Sequence, residues 1–271
     1  MSKNFRMADY LRRIGFGDTV KSDYATFAAM HLAHVNSIPF EGLDPLIGRP
    51  VKLDIDSVQT KLLDCRRGGY CFEHNMLFKA ALEDMGFKVT GLAARVRWMS
   101  PPNSPLGPKE HMLLKVDLPE GAFLADVGFG ACLMDSPIPL VTNVDHSTAM
   151  GTFRISEEGG LFWLSAKQPS GWRTAYAFDL EPQISSDYEL GNWYTSTSPH
   201  VPFTSMVIME RLMGDRRYKL VSNRFVVEGR DGFVSEERVI DNAAEFGQIL
   251  DKTFDIETPI PVEELFAKFG A

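Results

Sequence analysis

The sequence has little of several features that would each indicate a particular class of protein. Its 271 residues include only three cysteines, an odd number and too few for a disulfide framework. No apolar run approaches the length of about 18 residues that a membrane span needs, and no signal-peptide core is recognisable. Lysine and arginine form no dense block, and the formal net charge is −8. These absences argue against secreted disulfide scaffolds, membrane proteins and nucleic-acid binders, and we expect a cytoplasmic protein with reduced thiols.

What the sequence does contain is typical of a globular α+β protein, with 44% hydrophobic and 24% charged residues. Residues 1–86 have helical periodicity, with cap and stop signals around each segment. Residues 87–190 carry short β-like runs separated by turns, which favours a β-barrel or sandwich, and residues 191–271 mix strands with two helices. We therefore predict three domains with boundaries at residues 86 and 190, the last of them a lid-like α/β region.

The segment around Cys71 is the most informative part of the chain for chemistry. Gly68 and Gly69 permit a tight turn immediately before a helix that is expected to run from Cys71 to Met85. A thiol in the first helical turn faces unpaired N–H groups and the positive end of the helix dipole, which favour the thiolate. The same N–H groups suit the oxyanion that forms when a thiolate attacks a carbonyl. The simpler alternative is a small buried residue, but the Gly-Gly-x-Cys helix start favours a nucleophile.

A thiol nucleophile needs a base, and two histidines are candidates for that role. His74 lies on the same helix face as Cys71, so spacing alone does not exclude it. His111 opens a strand, and Asp126 lies near the end of the next one. A turn centred between residues 119 and 120 would make His111 and Asp126 diagonal neighbours on one face, whereas a shifted turn would separate them. The pattern therefore predicts a conditional triad of Cys71, His111 and Asp126.

Three other kinds of protein compete with that prediction. Zinc binding is disfavoured because Cys65, Cys71 and His74 lack the usual paired spacings, and we expect no metal. A cysteine hydrolase or thioesterase would use the same triad, although the papain-type sequence around the cysteine is absent. A non-catalytic binding protein would not need the three residues. The sequence leaves the cysteine hydrolase or thioesterase alternative open.

The chain resembles the arylamine N-acetyltransferases. The resemblance rests on the run from Arg67 to Glu73, which matches the family's R-G-G-x-C-[FW]-E signature, and on Pro39-Phe40-Glu41. It is supported by His111 at the head of its strand, by the run from Asp126 to Gly130, and by the order and spacing of these motifs. One departure is Gly42, where asparagine is common in the family.

This resemblance implies a helical bundle, a central β-barrel and a C-terminal α/β region around a cysteine-protease-like active-site core. The nucleophile would lie in residues 1–86 and the histidine and aspartate of the triad in residues 87–190. The implied activity transfers an acetyl group from the co-substrate acetyl-CoA to an arylamine or hydrazine through acetyl-cysteine, with neither nucleic acid nor membrane as a partner. The resemblance implies an acceptor pocket lined by Phe40 and Phe129. It implies a coenzyme A channel along Val96, Trp98, Gly130 and Phe203.

Overall fold

The computed structural model describes residues 4–101 and 103–269, which form an α+β structure with two antiparallel sheets. The helices are α1 (Met7–Ile14), α2 (Tyr24–Ser37), α3 (Leu43–Leu46), α4 (Ile55–Gln59), α5 (Cys71–Asp84), α6 (Ser185–Thr197), α7 (Ala243–Lys252) and α8 (Val262–Phe266). The strands are β1 (Phe40–Glu41), β2 (Lys88–Val96), β3 (His111–Leu118), β4 (Gly121–Ala125), β5 (Ile138–Pro139), β6 (Asp145–Ser147), β7 (Thr152–Glu158), β8 (Leu161–Gln168), β9 (Gly171–Phe178), β10 (Ile208–Met213), β11 (Arg216–Val221), β12 (Arg224–Glu228) and β13 (Val234–Val239).

The helices of the first third begin and end largely where the sequence predicts. The carboxylate of Asp23 accepts a hydrogen bond from the N–H of Thr26 and caps α2, which ends at the residue before Ile38. Asp54 caps α4 in the same way. That helix continues as a single π-helical turn, Thr60–Asp64, which leads toward the α5 start. Buried apolar side chains of α1, α2 and α5 share one core with the inner face of β3.

The larger sheet has eight strands in the order β5-β4-β3-β2-β9-β8-β7-β6, all antiparallel, and forms a nearly closed barrel. After β5, at one end of this strand order, the chain runs to β7 near the other end, where the N–H of Asn143 donates to the carbonyl of Ile155 at 2.7 Å. In the β3–β4 hairpin Leu118 pairs with Gly121 and Leu114 pairs with Ala125. This register is the one that places His111 and Asp126 on one face, so the predicted turn is confirmed.

The smaller sheet has five strands in the order β1-β10-β11-β12-β13 and packs against α7 and α8. Strand β1 belongs to the first third of the sequence, so this sheet joins the two ends of the chain. The sequence analysis did not predict β10 or α6, and α6 spans the proposed boundary at residue 190. The division into three domains stays a proposal.

In residues 4–101 and 103–269, no helix combines the length and the apolar character that a bilayer span requires.

Candidate active site

Cys71 opens α5 behind a turn that only glycine permits. The carbonyl of Gly69 accepts a hydrogen bond from the N–H of Glu41 at 2.8 Å, which draws the turn against β1. A Cβ atom at Gly68 would lie 2.0 Å from the carbonyl oxygen of Pro39, so no larger residue fits there without moving the backbone. The side chain of Cys71 is nearly buried, with 5% of its surface exposed.

A buried network of charged side chains fixes this turn from behind. Arg67 pairs with Glu41 at 2.7 Å and with Asp44 at 3.0 Å. Lys61, which the π-helical turn points inward, pairs with Asp44 at 2.7 Å and with Glu73 at 2.8 Å. The other carboxylate oxygen of Glu73 accepts a hydrogen bond from the backbone N–H that precedes α5. Two cations and three carboxylates alternate in this network, so each buried charge has an opposite partner within 3.0 Å and both sides of the helix start are anchored.

His111 and Asp126 form a direct pair inside the protein. The Nε2 atom of His111 lies 2.7 Å from Oδ2 of Asp126, and both side chains are almost completely buried. Oδ1 of Asp126 accepts hydrogen bonds from the amide of Asn75 and from the N–H of Gly128, each at 3.0 Å. Asn75 lies one turn after Cys71 on α5, and sequence reasoning missed it. The carboxylate is therefore held rigidly by three donors.

The environment of this pair favours the charged form of both groups. Burial opposes protonation of His111, but the charge of Asp126 and hydrogen bonds with Asp126 and Cys71 outweigh burial and raise its pKa to about 10. For Asp126 burial also disfavours ionisation, but the charge and hydrogen bond of His111, with the donors Asn75 and Gly128, lower its pKa below the ordinary value. The site is thus built for an imidazolium between a carboxylate and a sulfur.

His74, the alternative base, has both of its ring nitrogens occupied by other groups. Its Nε2 must donate to the carbonyl of Pro39 at 3.1 Å, because a carbonyl only accepts. Its Nδ1 then accepts from Nε2 of His34 at 2.9 Å, and Nδ1 of His34 accepts from the hydroxyl of Tyr10 at 3.0 Å. Burial lowers the pKa of His74 to about 4. Among the two candidates, the geometry favours His111.

A cavity of about 140 Å³ opens onto Cys71 and His111. The wall is predominantly apolar, and Met99, 81% exposed, marks its mouth. Asp126 lies behind His111 and does not reach the cavity. The other residues predicted for the triad, the acceptor pocket and the coenzyme channel all line it: Phe40, Cys71, Val96, Trp98, His111, Phe129, Gly130 and Phe203.

Close ring packing shapes this cavity and accounts for two glycines. A Cβ atom at Gly130 would lie 2.1 Å from the ring of Phe40. A Cβ atom at Gly42, the position that departs from the family pattern, would lie 2.6 Å from the ring of Phe203. The ring of Phe129 packs edge-on against His111, with centroids 5.2 Å apart. The glycines therefore make room for the aromatic walls of the cavity.

Several lining residues from the last third of the chain were not predicted from the sequence. Thr195 on α6, Val201 after it and Ile208 on β10 all contribute to the cavity wall. No motif marks them, because each is an ordinary residue that only the fold brings near Cys71. Over the ranges that the structure describes, no group of three or more His, Cys, Asp or Glu side chains is placed to hold a metal ion.

Comparison with known proteins identifies the family. A family model described as N-acetyltransferase matches residues 23–262. An arylamine N-acetyltransferase of Mycolicibacterium smegmatis is 39% identical over 248 residues, covering 90% of this chain and 88% of the relative. A solved M. smegmatis arylamine N-acetyltransferase superposes with a TM-score of 0.93 at 35% identity, covering 98% and 99% of the two chains. The Mycobacterium marinum enzyme in complex with CoA has a TM-score of 0.92 at 31% identity, covering 97% and 99%. The chain belongs to the arylamine N-acetyltransferase family, and it is an acyltransferase.

Proposed function

We propose that the protein transfers an acetyl group from acetyl-CoA to the nitrogen of an arylamine or hydrazine, with Cys71 carrying the group between them. The observation that carries the proposal is that Cys71 and His111 line the same apolar cavity, and that His111 is paired with Asp126 behind it. In this proposal the three residues act as a catalytic triad, with the geometry of a cysteine-protease-like core. Cys71 is the nucleophile, His111 the proton carrier and Asp126 the group that orients and stabilises the imidazolium.

In the first half-reaction the thiolate of Cys71 attacks the carbonyl carbon of acetyl-CoA. A carbon–sulfur bond to the enzyme forms, and the negative charge moves to the carbonyl oxygen, where N–H groups of the first turn of α5 can stabilise it. The bond to the coenzyme sulfur then breaks, and the imidazolium of His111 protonates that sulfur. Free coenzyme A leaves an acetyl-enzyme with a neutral His111.

The second half-reaction returns the enzyme to its starting state. The lone pair of the acceptor nitrogen attacks the acetyl carbon on Cys71, and neutral His111 accepts the proton that this nitrogen loses. Collapse of the intermediate breaks the bond to Cys71 and releases the amide. The thiolate and imidazolium are then both restored, so in each cycle His111 gives one proton to coenzyme A and takes one from the acceptor nitrogen.

The apolar wall supports transfer rather than hydrolysis. Water that reached the acetyl-enzyme would waste it, and the aromatic rings beside the sulfur restrict access. In the proposal Phe40 and Phe129 contact the flat ring of the acceptor. The CoA complex of the similar M. marinum enzyme supports a coenzyme binding mode here as well. We propose that the residues that follow the slender coenzyme arm are Val96, Trp98, Gly130 and Phe203.

Mass spectrometry of the intact protein tests this function. Mixing with acetyl-CoA should add one acetyl group, and peptide mapping should locate it on Cys71 rather than on Cys65 or Cys132. Adding an arylamine should remove the group and yield the acetylated amine, whereas without acceptor coenzyme A release should stop near one equivalent. Steady coenzyme A release that is unchanged by the amine would indicate a thioesterase, and acetylation of another cysteine would contradict the role of Cys71.

A further inference from the structure

The segment between β4 and β5 is buried but has little regular structure, so its backbone groups need partners outside a sheet or helix. We call residues 129–134 the pocket loop. Phe129 and Gly130 in this loop line the cavity beside Cys71. The N–H groups of Ala131 and Cys132 donate to the carbonyl of Phe129, which closes a tight turn. The position of the cavity wall then depends on how the end of this turn is held.

Two charged side chains of the smaller sheet bind the backbone of Leu133 at that end. Oε1 of Glu210, on β10, accepts from the N–H of Leu133 at 2.8 Å. Nη2 of Arg217, on β11, donates to the carbonyl oxygen of Leu133 at 2.9 Å. The two side chains also pair with each other, with Nε of Arg217 2.9 Å from Oε1 of Glu210. Both are at most 1% exposed, so water does not screen the two charges, and removal of either one would leave the other buried without its partner.

The same ion pair is connected to the opposite wall of the cavity. Glu210 lies directly across from Phe40 in the pairing of β10 with β1. The ring of Phe40 packs so closely on Gly130 that no side chain fits there. The distance between Phe40 and the pocket loop is therefore set at two places, by direct ring contact and by Glu210 with Arg217 behind it.

We propose that Glu210 and Arg217 are positioning residues that fix the pocket loop against Phe40 and so determine which acceptors fit. The inference rests on the proposed function, because it treats this cavity as the acceptor site. Neither residue lines the cavity. They act on the rings that contact the acceptor and leave the Cys71–His111–Asp126 geometry unchanged, since that geometry is held by Asn75 and the backbone of Gly128.

Arg217→Lys tests the proposal. Lysine keeps the charge that Glu210 needs, but it lacks the planar fork that reaches Glu210 and the carbonyl of Leu133 together. The matched control is Arg224→Lys, the same substitution on the neighbouring strand β12, where Arg224 is exposed and pairs with Glu237 at 2.6 Å. Acceptor selectivity is the ratio of kcat/KM for a one-ring and a two-ring arylamine. A second readout is acetylation of Cys71 by p-nitrophenyl acetate, a small donor that needs no acceptor.

Arg217→Lys should change the selectivity ratio by about tenfold, mainly through KM, while acetylation of Cys71 stays within about twofold. Arg224→Lys should change neither quantity. An unchanged ratio, or an equal fall in both acceptors together with Cys71 acetylation, would overturn the proposal. The same change in Arg224→Lys would also overturn it.

Hydrogen exchange provides a readout that does not depend on the proposed function. Amide exchange in peptides covering residues 129–134 should be faster in Arg217→Lys and in Glu210→Ala than in the unmodified protein, with α5 unaffected. Glu210→Gln, which keeps an acceptor for the N–H of Leu133, should preserve more of the protection than Glu210→Ala. Unchanged exchange in this segment would overturn the proposal even if the enzyme transfers acetyl groups as expected.

Discussion

Two histidine-containing networks contact α5, and they shift the pKa of a buried histidine in opposite directions. In one, His111 bonds to the carboxylate of Asp126, and its pKa is raised to about 10. In the other, His74 bonds to His34 and to the carbonyl of Pro39, and its pKa is lowered to about 4. Burial is nearly complete in both cases and by itself favours the neutral ring.

The difference shows that the partner, rather than the depth of burial, decides what each histidine can do. A fixed carboxylate makes His111 a cation that can stabilise a thiolate and deliver a proton. Neutral partners make His74 a directional link in a chain of hydrogen bonds that begins at Tyr10.

Matched replacement of the two histidines by glutamine should have the largest effect. His111→Gln removes the ring that links Asp126 to Cys71 in the proposed triad, and the rate of Cys71 acetylation should fall by about 10⁵-fold or more. His74→Gln keeps an amide donor for Pro39 and an acceptor for His34, and the rate should stay within about tenfold. Quenched-flow mass spectrometry at pH 7 measures both rates. A larger loss in His74→Gln would reverse the roles of the two networks.

Asp126→Asn should leave His111 with neutral hydrogen-bonding partners only, as His74 has. The imidazole keeps a hydrogen-bonding neighbour but loses the negative charge that raises its pKa. The rate of Cys71 acetylation should fall by about 10⁴-fold, as for the corresponding change in the serine-protease triad. Steady-state and single-turnover kinetics give this number, with Asp135→Asn as a control carboxylate outside the pair. A loss below about tenfold would mean that the carboxylate does not control His111.

Alkylation at pH 6 should distinguish Cys71 from the other thiols by about 100-fold. An ordinary free thiol is under about 1% thiolate at this pH, whereas in the proposed triad His111 takes the proton of Cys71 and leaves its sulfur able to attack. Cys65 is exposed and Cys132 is buried, so exposure alone would rank Cys65 first. Iodoacetamide labelling with peptide mapping measures the three rates. Faster labelling of Cys65 than of Cys71 would contradict the ion pair.

The pH dependence of stability should reveal both networks with opposite signs. Burial lowers the pKa of His31 and of His74 to about 4 and that of His34 well below its ordinary value. Their contribution to stability is complete above pH 6.5 and is lost as the pH falls through the lowered pKa values. One such histidine accounts for about 3 kcal/mol at the acid end. The raised pKa of His111 acts in reverse, with stability complete below pH 6.5 and lost as the pH rises toward about 10.

His31→Phe isolates one part of this acid loss, because His31 packs edge-on against Phe78 and lies outside the chain from Tyr10 to Pro39. Denaturant unfolding between pH 4 and pH 7 should show a shallower loss of free energy in this variant. Equal slopes in the two proteins would mean that His31 is not a neutral buried histidine.

Much of the site could be predicted because local rules decide it. The Gly-Gly turn and the helix start at Cys71 follow from backbone conformation, and the short β3–β4 turn fixes the register that brings His111 to Asp126. Asp126 itself lies one position beyond β4, where its carboxylate accepts backbone and side-chain donors that no strand pattern reveals. Sequence spacing alone does not exclude His74 as the base, because the choice between His111 and His74 depends on which carboxylate or carbonyl each ring contacts in the folded protein.

In the last third of the chain, helix α6 and strand β10 could not be predicted from the sequence, for two physical reasons. Helix α6 buries Gly191, Asn192 and Thr195 but exposes Leu190 and Trp193, so it lacks the apolar stripe that marks an amphipathic helix. In β10 and β11 the buried faces carry charged residues that read as surface positions in a sequence. Only the fold shows that they face the pocket loop and each other.

The protonation states of His111 and His74 test the central contrast most directly, and ¹⁵N NMR of histidine side chains in the unmodified protein measures both. Between pH 6 and pH 8 His111 should carry protons on both ring nitrogens, whereas His74 should be neutral with its proton on Nε2 throughout. Replacement of Asp126 by asparagine should convert the signals of His111 to those of a neutral ring. A neutral His111 at pH 7 in the unmodified protein, or titration of His74 near pH 6.5, would contradict the account.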